Sequence, residues 1–296
     1  MEKTVSVIIP VYNASFYIDE TLRALLSQTY SSKAIEILVV DNGSTDGTEE
    51  IVKKYPVKLI FEREKAGPYA ARNKGLLQAK GEIIALTDAN KVPDKNWIES
   101  GVRALERKNS HLAGGDIIFE LGNDPSAAEL YDAITFNNNR NLVLFEQGSA
   151  TGNLFFKKKI LDELGLFPDV FRSGMDIWWT QRAVRLGYKL VFADKAIVKC
   201  KPRTFVQVLC KSYRVGKVHP FNMKQNGKPA SFIFGQVIRT FAPPKINPLK
   251  EKLTEKQLNQ QFFYKVWSVA WLSKICMGTG RARGFLFMNK RIQDFT

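Results

Sequence analysis

A chain of 296 residues, 45% apolar and 25% charged, is long enough for one large domain with an appendage and too apolar to stay disordered. Its three cysteines, Cys200, Cys210 and Cys276, and its two histidines are too few and too scattered for a disulfide framework, a four-cysteine zinc site or a histidine-rich metal site. The net charge of +15 is uneven: residues 197–296 hold 19 Lys and Arg against Glu251, Glu255 and Asp294, a balance of +16, while the first 196 residues stand at −1.

Short β-branched apolar runs at 5–10, 35–40, 57–61 and 83–86 predict four strands, each ending on polar residues. Amphipathic stretches of helical length fall between them at 16–26, 48–54 and 68–79. This alternation predicts an α/β fold with a mostly parallel central sheet flanked by helices, and such sheets bind ligands at the carboxyl ends of their strands. Farther along, 94–107 predicts a helix with Asp94 as N-cap, and 112–121 a strand broken early by Gly114 and Gly115. The stretch 125–146, with its run Asn137-Asn138-Asn139, is ambiguous. A strand at 150–156, a short helix at 157–164 closed by Gly165, and a helix at 176–186 closed by Gly187 come next. Two short strands, 188–193 and 196–200, precede a helix at 204–215. Beyond Lys217 lie breakers at Asn226-Gly227-Lys228-Pro229 and Pro243-Pro244, then one aromatic-rich helix at 261–277.

Four polar patches mark the ligand side. They are Pro10-Val11-Tyr12-Asn13, the run Val40-Asp41-Asn42-Gly43-Ser44-Thr45-Asp46-Gly47-Thr48, the helix start Ala66-Gly67-Pro68-Tyr69-Ala70-Ala71-Arg72-Asn73, and Thr87-Asp88-Ala89-Asn90. Each alone is weak, since a strand followed by Asp and Gly is common. In this order, within roughly the first hundred residues, they resemble the family-two inverting glycosyltransferases with the GT-A fold. The likeness continues more loosely from Ser173-Gly174-Met175-Asp176 to Arg214. It implies a Rossmann-like GT-A domain at 1–216, with a nucleotide-binding half at 1–110 and an acceptor-side half at 111–216, followed by a basic helical extension at 217–296.

A sugar nucleotide presents a flat base, a ribose diol and a diphosphate, so its pocket needs an acceptor for base or ribose donors and a cation facing the diphosphate. Asp41 suits the first need, or serves as a turn carboxylate, a task Asp46 could take instead. By the resemblance Asp41 binds the base, with Pro10, Tyr12 and Asn13 lining it; Tyr12 as core filler is the alternative. Arg72, one turn into its helix, offers a fixed fork of donors to base or phosphate, or is an ordinary surface arginine. Asp88 and Asn90 lie two apart at a strand end, hence on one face, where they can grip a ribose hydroxyl and a divalent ion together. The similar enzymes place Asp-x-Asp there, which by the resemblance puts Asp88 and Ala89 against the nucleotide sugar, and the second Asp position commonly holds Mg²⁺ or Mn²⁺ against the leaving diphosphate.

Two departures bear on that metal. Asn90 is a neutral and weaker ligand, and Cys200 stands where many similar enzymes have a metal-binding His, although thiolate matches hard Mg²⁺ poorly. Metal-independent action, with cationic charge from Lys199, Lys201, Arg203, Lys211 or Arg214, is the alternative. Asp176 is the candidate base for the acceptor hydroxyl, because Ser173-Gly174-Met175-Asp176-Ile177-Trp178-Trp179 resembles the family's Glu-Asp segment with Met175 in place of Glu. A carboxylate at a helix start is favourable by dipole in any case. Trp178 and Trp179 suit either a sugar-stacking platform or a core pair.

In the tail, Phe262, Phe263, Val266, Val269, Ala270 and Ile275, with Trp267, Trp271, Lys265 and Lys274, predict either an interfacial helix on an anionic membrane surface or one folded back or dimerised. No window reaches the roughly eighteen uninterrupted apolar residues of a membrane-spanning helix, and no cleavage site follows the Val5 to Val11 run. The expected place is the cytoplasm, peripheral on the inner face of the membrane. The expected function is hexosyl transfer, with inversion, from a nucleotide-sugar donor to a carbohydrate or lipid-linked acceptor in polysaccharide or glycolipid synthesis, without nucleic acid. The competing reading is a non-catalytic sugar-nucleotide or glycan-binding relative.

Overall fold

The computed structural model describes residues 2–107, 109–135, 138–255 and 262–288. Asn137 of the asparagine run, and Gln261, where the aromatic helix is expected to begin, lie outside the described residues. The chain forms two compact units, residues 1–119 with 137–201, and residues 120–136 with 202–296.

The first unit is built on an eight-stranded sheet. Its strands are β1 (Val5–Val11), β2 (Ile35–Asp41), β3 (Lys58–Phe61), β4 (Ile83–Thr87), β5 (Val92–Pro93), β6 (Leu112–Phe119), β7 (Asn153–Lys157) and β8 (Leu190–Cys200), in spatial order β3-β2-β1-β4-β7-β6-β8-β5. Strands β3, β2, β1 and β4 run parallel, as do β6 and β8, whereas β7 is antiparallel to both β4 and β6. β1 and β4 are apolar except for Ser6 and Thr87 and are buried nearly throughout, because both faces of the sheet are covered and successive side chains are buried on either side. The chain steps from β1 outward through β2 to β3, then returns to place β4 on the other side of β1. That reversal opens a crevice at the carboxyl ends of β1 and β4, the position where open α/β sheets hold ligands. Thr87 pairs with Asn153, so the residues just before β7 arrive at this same edge.

Helices α1 (Ile18–Leu26), α2 (Thr48–Val52), α3 (Pro68–Gln78) and α4 (Trp97–Arg107) follow the expected pattern. Asp94 is not the side-chain cap of α4. Its carbonyl accepts from Trp97 N–H, its carboxylate lies 3.5 Å from Lys199 Nζ, and Gln28 Oε1 instead takes the Ile98 N–H at 3.0 Å. The pair Gly114-Gly115 does not end its strand either. β6 continues to Phe119 past an irregularity between Gly115 and Asp116, and the two short strands expected at 188–200 are one, β8, with its register jump at the same place. Asn153 accounts for both results. Its Nδ2 donates to the carbonyls of Asp116 and Ala196 at 2.7 and 2.8 Å, and its Oδ1 accepts from Trp97 Nε1 at 2.8 Å. The backbone groups freed by the irregularity are thereby satisfied inside the core.

The ambiguous stretch resolves into α5 (Ala127–Thr135), in the second unit, and α6 (Asn139–Phe145), in the first, the latter capped by Asn138. Helices α7 (Leu161–Leu164) and α8 (Met175–Arg185) complete the first unit. The second adds α9 (Phe205–Gly216), α10 (His219–Gln225), α11 (Ala230–Thr240), α12 (Ile246–Glu255) and α13 (Phe263–Leu286). A division at residue 216 differs from this one, because α9 and α13 meet backbone to backbone. A Cβ on Gly216 would lie 2.2 Å from the Met277 carbonyl oxygen, and one on Gly280 2.2 Å from that of Tyr213. Side chains at either place would force the helices apart. Phe263, Val266, Val269 and Ala270 of α13 pack with Leu130, Tyr131, Val208, Leu249 and Leu253, so this helix forms the centre of its own unit.

Candidate active site

The carboxyl edge of the sheet carries a connected set of side chains. Asp41, the last residue of β2, is fully buried and accepts from the Arg63 guanidinium and from the backbone N–H groups of Gly43 and Ser44 at 3.2 and 3.3 Å. Arg63 is half exposed and lies over the Phe61 ring, 4.7 Å from its centroid. The carboxylate is therefore a turn acceptor and also an ion-pair partner, with Arg63 as its outward face. Asp46 anchors the start of α2, taking the Thr48 N–H and hydroxyl on one oxygen and Ser15 N–H on the other. Desolvation opposes its ionisation, but the bonds from Thr48 and Ser15 outweigh it and hold the Asp46 pKa down at about 2.

Asn42 fixes the loop that leads into α3. Its Nδ2 donates to the carbonyls of Glu62 and Lys65, and its Oδ1 accepts from Gly67 N–H at 2.6 Å. Gly67 holds φ at 147°, a value that glycine adopts without strain, and Pro68 then opens α3 with its ring in place of an unneeded N–H. Tyr69 and Arg72, three apart on this helix and so on one face, are buried. Arg72 Nη2 reaches Asp88 Oδ1 at 2.5 Å, its guanidinium stands 5.5 Å from the Tyr69 ring centroid, and its buried Nε has no hydrogen-bond partner among the described residues.

Tyr69 carries the connection onward. Its hydroxyl donates to Asp176 Oδ1 at 2.8 Å and accepts from Met175 and Asp176 N–H at 3.1 and 3.3 Å, closing the first turn of α8. Burial, with the Asp176 charge adding to it, pushes the Tyr69 pKa well above its ordinary 10, so the group is a permanent donor. Asp176 Oδ2 accepts from Thr151 N–H and hydroxyl at 3.1 and 3.2 Å. Three of its roughly four acceptor positions are thus engaged, which fixes its orientation and leaves one lone pair for a further donor. Asp88, Arg72, Tyr69 and Asp176 form one continuous cluster from the end of β4 to the start of α8.

Asp88 is gripped from its other side as well. Lys91, whose side chain is 3% exposed, brings Nζ to 3.3 Å from Asp88 Oδ2. Its stem runs against Gly152, where a Cβ would lie 2.5 Å from Lys91 Cε and 3.0 Å from Asp88 Oδ2.

The other expected residues divide. Pro10 pairs across β1 with Val40, and Tyr12 just beyond it is 64% exposed, so its ring is not core filler. Asn13 ties the first two loops together, its N–H donating to Ser44 Oγ and its Oδ1 accepting from Thr45 N–H. Ala89 turns its methyl into the apolar core and gives its carbonyl to Thr21 Oγ1 at 2.7 Å. Asn90 is half-buried, and its amide makes no hydrogen bond among the described residues. Cys200 is 3% exposed and packs in the apolar cluster with Ala196 and Val198, so its thiol is a core group and not a ligand on a polar wall. Arg203 and Arg214 belong to the second unit, where Arg203 forms a two-pronged pair with buried Asp132 at 2.9 and 3.3 Å. Trp179 is fully buried against Phe156 and Phe167, whereas Trp178 stays half-buried with Arg182 over its ring. Tyr69, Lys91, Arg63 and Thr151 were not singled out from the sequence. Tyr69 and Arg72 at i, i+3, and Asp88 and Lys91 at the same spacing, were the signals available.

A parallel half-sheet with a reversal at β1 and β4, and carboxylates at its carboxyl edge, is the arrangement of an α/β protein that receives a nucleotide there. Residues 6–165 match the glycosyl transferase family 2 domain, and the chain belongs to that family. It is 35% identical over 288 residues to glycosyltransferase AglE of Haloferax volcanii, covering 94% of both chains. Glycosyltransferase GlyA of Streptococcus pneumoniae is 27% identical over 215 residues, which cover 67% of this chain and 30% of that protein. Among solved structures, TarS of S. aureus superposes with a TM-score of 0.54 at 20% identity, over 94% of this chain and 55% of that one. Mannosyltransferase PcManGT from Pyrobaculum calidifontis, solved with GDP-Man and Mn²⁺, gives 0.55 at 19% identity, over 100% and 81%. The fold is GT-A.

Enzymes of this fold commonly use a divalent metal. The residues present here do not fit one. Among the described residues no three His, Cys, Asp or Glu side chains converge. Both oxygens of Asp88 face cationic side chains, Asn90 is neutral, and Cys200 is in the core. Such a metal ion is held by one or two side-chain oxygens together with the substrate's phosphates, and here the carboxylate at the end of β4 is already paired with Arg72 and Lys91, which makes it a poor ligand.

Proposed function

We propose that the chain is an inverting hexosyltransferase that moves a sugar from a nucleoside-diphosphate donor to an acceptor hydroxyl by direct displacement. The observation that carries this is the Asp88–Arg72–Tyr69–Asp176 cluster, which links a donor-side carboxylate to an acceptor-side one at the switch point of the sheet. In this reading Tyr12 stacks on the base, while Pro10, Asn13 and Asp41 with Arg63 hold its edge and Asp88 takes the ribose. Asp176 is the base: its lone pair accepts the acceptor's proton as that oxygen attacks the anomeric carbon, and the bond to the diphosphate breaks on the opposite face. The first unit, residues 1–119 with 137–201, supplies this chemistry. A binding-only relative is not favoured, since the chain retains Asp41, Arg72, Asp88 and Asp176.

The acceptor we propose is a glycan or lipid-linked saccharide. Charge and exposed aromatics of the second unit support a membrane-facing role: α11 exposes Phe232, Phe234 and Ile238, α13 exposes Trp271 and Leu272, and the unit carries a net charge of +10. No helix among the described residues is long and apolar enough to cross a membrane. Release of nucleoside diphosphate from UDP- and GDP-sugars, by wild type and Asp176→Asn, tests the reaction. Turnover that survives Asp176→Asn unchanged would sink the assignment of the base, and product of retained anomeric configuration would sink the inversion.

A further inference from the structure

Resting on that reading, we infer that Lys91 supplies the positive charge facing the donor's diphosphate, in the place where metal-using relatives hold a divalent cation. A leaving diphosphate gathers negative charge as the sugar bond breaks, and something cationic at the end of β4 must meet it. Three observations point to Lys91. It is buried at the carboxyl edge of the sheet, three residues after Asp88, so its charge acts through a medium where it is screened little. Arg72 and Lys91 set two positive charges against Asp88 alone, and Asp176, joined through Tyr69, brings the wider cluster to neutrality before any ligand arrives. Finally, an ammonium has three N–H donors and the contact to Asp88 Oδ2 at 3.3 Å engages one at most, so others remain for an incoming phosphate oxygen.

The local chain is shaped to seat this lysine. Lys91 N–H donates to the Asp88 carbonyl at 3.1 Å, which turns the backbone back so that both side chains share one side. Gly152 leaves open the space through which the lysine stem passes, since a methyl there would meet Lys91 Cε. Asn90, the position at which a carboxylate would recruit metal, is neutral. The same exchange of a carboxylate for an amide that weakens a metal site removes a negative charge that would otherwise cancel Lys91.

Calorimetric titration of the full chain with UDP and with GDP, each in EDTA and in Mn²⁺, reads this directly, with uridine and guanosine as phosphate-free controls. The expected result is nucleoside-diphosphate binding by wild type that differs by less than about twofold between the two buffers. Lys91→Met should weaken it by about tenfold or more in both while leaving nucleoside binding unchanged, and Lys91→Arg should recover most of the loss. Mn²⁺ that tightens wild-type diphosphate binding about tenfold overturns the inference alone. So does a Lys91→Met protein that binds diphosphates like wild type, or one that loses nucleoside and diphosphate binding equally. Wild type that binds no nucleotide in either buffer overturns the transferase site itself, and this inference with it.

Discussion

Removing the Tyr69 hydroxyl isolates the link between the two halves of the site. Tyr69→Phe keeps the ring that stands beneath Arg72 and packs on Phe167, and deletes only the oxygen. That oxygen makes a 2.8 Å bond to the Asp176 carboxylate and accepts two N–H groups of α8 at 3.1 and 3.3 Å, at a residue only 3% exposed. A hydrogen bond to a charged group contributes about 1.5–3 kcal/mol and a neutral one about 1 kcal/mol, and groups left buried without partners cost comparable amounts. The expected destabilisation is therefore about 2–4 kcal/mol, measured by urea unfolding. In a double-mutant cycle with Asp176→Ala the coupling energy should be about 1.5–3 kcal/mol. The kinetic counterpart is a fall in kcat of about tenfold with donor KM unchanged, because the loosened carboxylate still carries its charge. A coupling below about 0.5 kcal/mol, or a rise in donor KM with kcat intact, would refute the claim that Tyr69 aims Asp176.

Three further outcomes follow from other parts of the molecule. His219 accepts from Arg281 at 2.9 Å, and burial, with the Arg281 charge, holds its pKa down at about 4 against an ordinary 6.5. The unfolded chain then binds the proton first, so this contribution is present above pH 6.5 and lost as pH falls toward 4, by up to roughly 3 kcal/mol; the difference between wild type and His219→Gln across that window measures it. Asn153→Leu strands Trp97 Nε1 and the carbonyls of Asp116 and Ala196 in the core, and should cost about 3 kcal/mol or more in urea unfolding. Gly280→Leu drives a side chain into the Tyr213 carbonyl and should open the α9–α13 contact, seen as early proteolysis of the second unit with the first intact.

The central strands and their order of appearance were legible because burial on both faces writes itself as mostly apolar runs that stop on polar residues. Asp88 and Arg72 were legible singly from their patches, but not as an ion pair, since only the folded chain brings residues 16 apart into contact. The break expected at Gly114-Gly115 failed because Asn153, some forty residues away, satisfies the irregular backbone; no local signal reveals such a partner. The packing of Cys200 with Ala196 and Val198 was hidden for a related reason: the spacing that aligns it with a histidine says nothing of which way β8 turns its last side chain. The fate of 125–146 was hidden because its two helices belong to different units, and each draws its apolar partners from elsewhere in the chain.

Steady-state release of nucleoside diphosphate across a donor concentration series, for wild type, Asp88→Asn and Asp176→Asn in parallel, bears most directly on the site. Asp88→Asn should raise donor KM, and Asp176→Asn should lower kcat by about a hundredfold or more while donor KM stays within about twofold of wild type. Equal effects of the two substitutions on both constants, or no effect of either, would contradict a cleft with donor and acceptor sides.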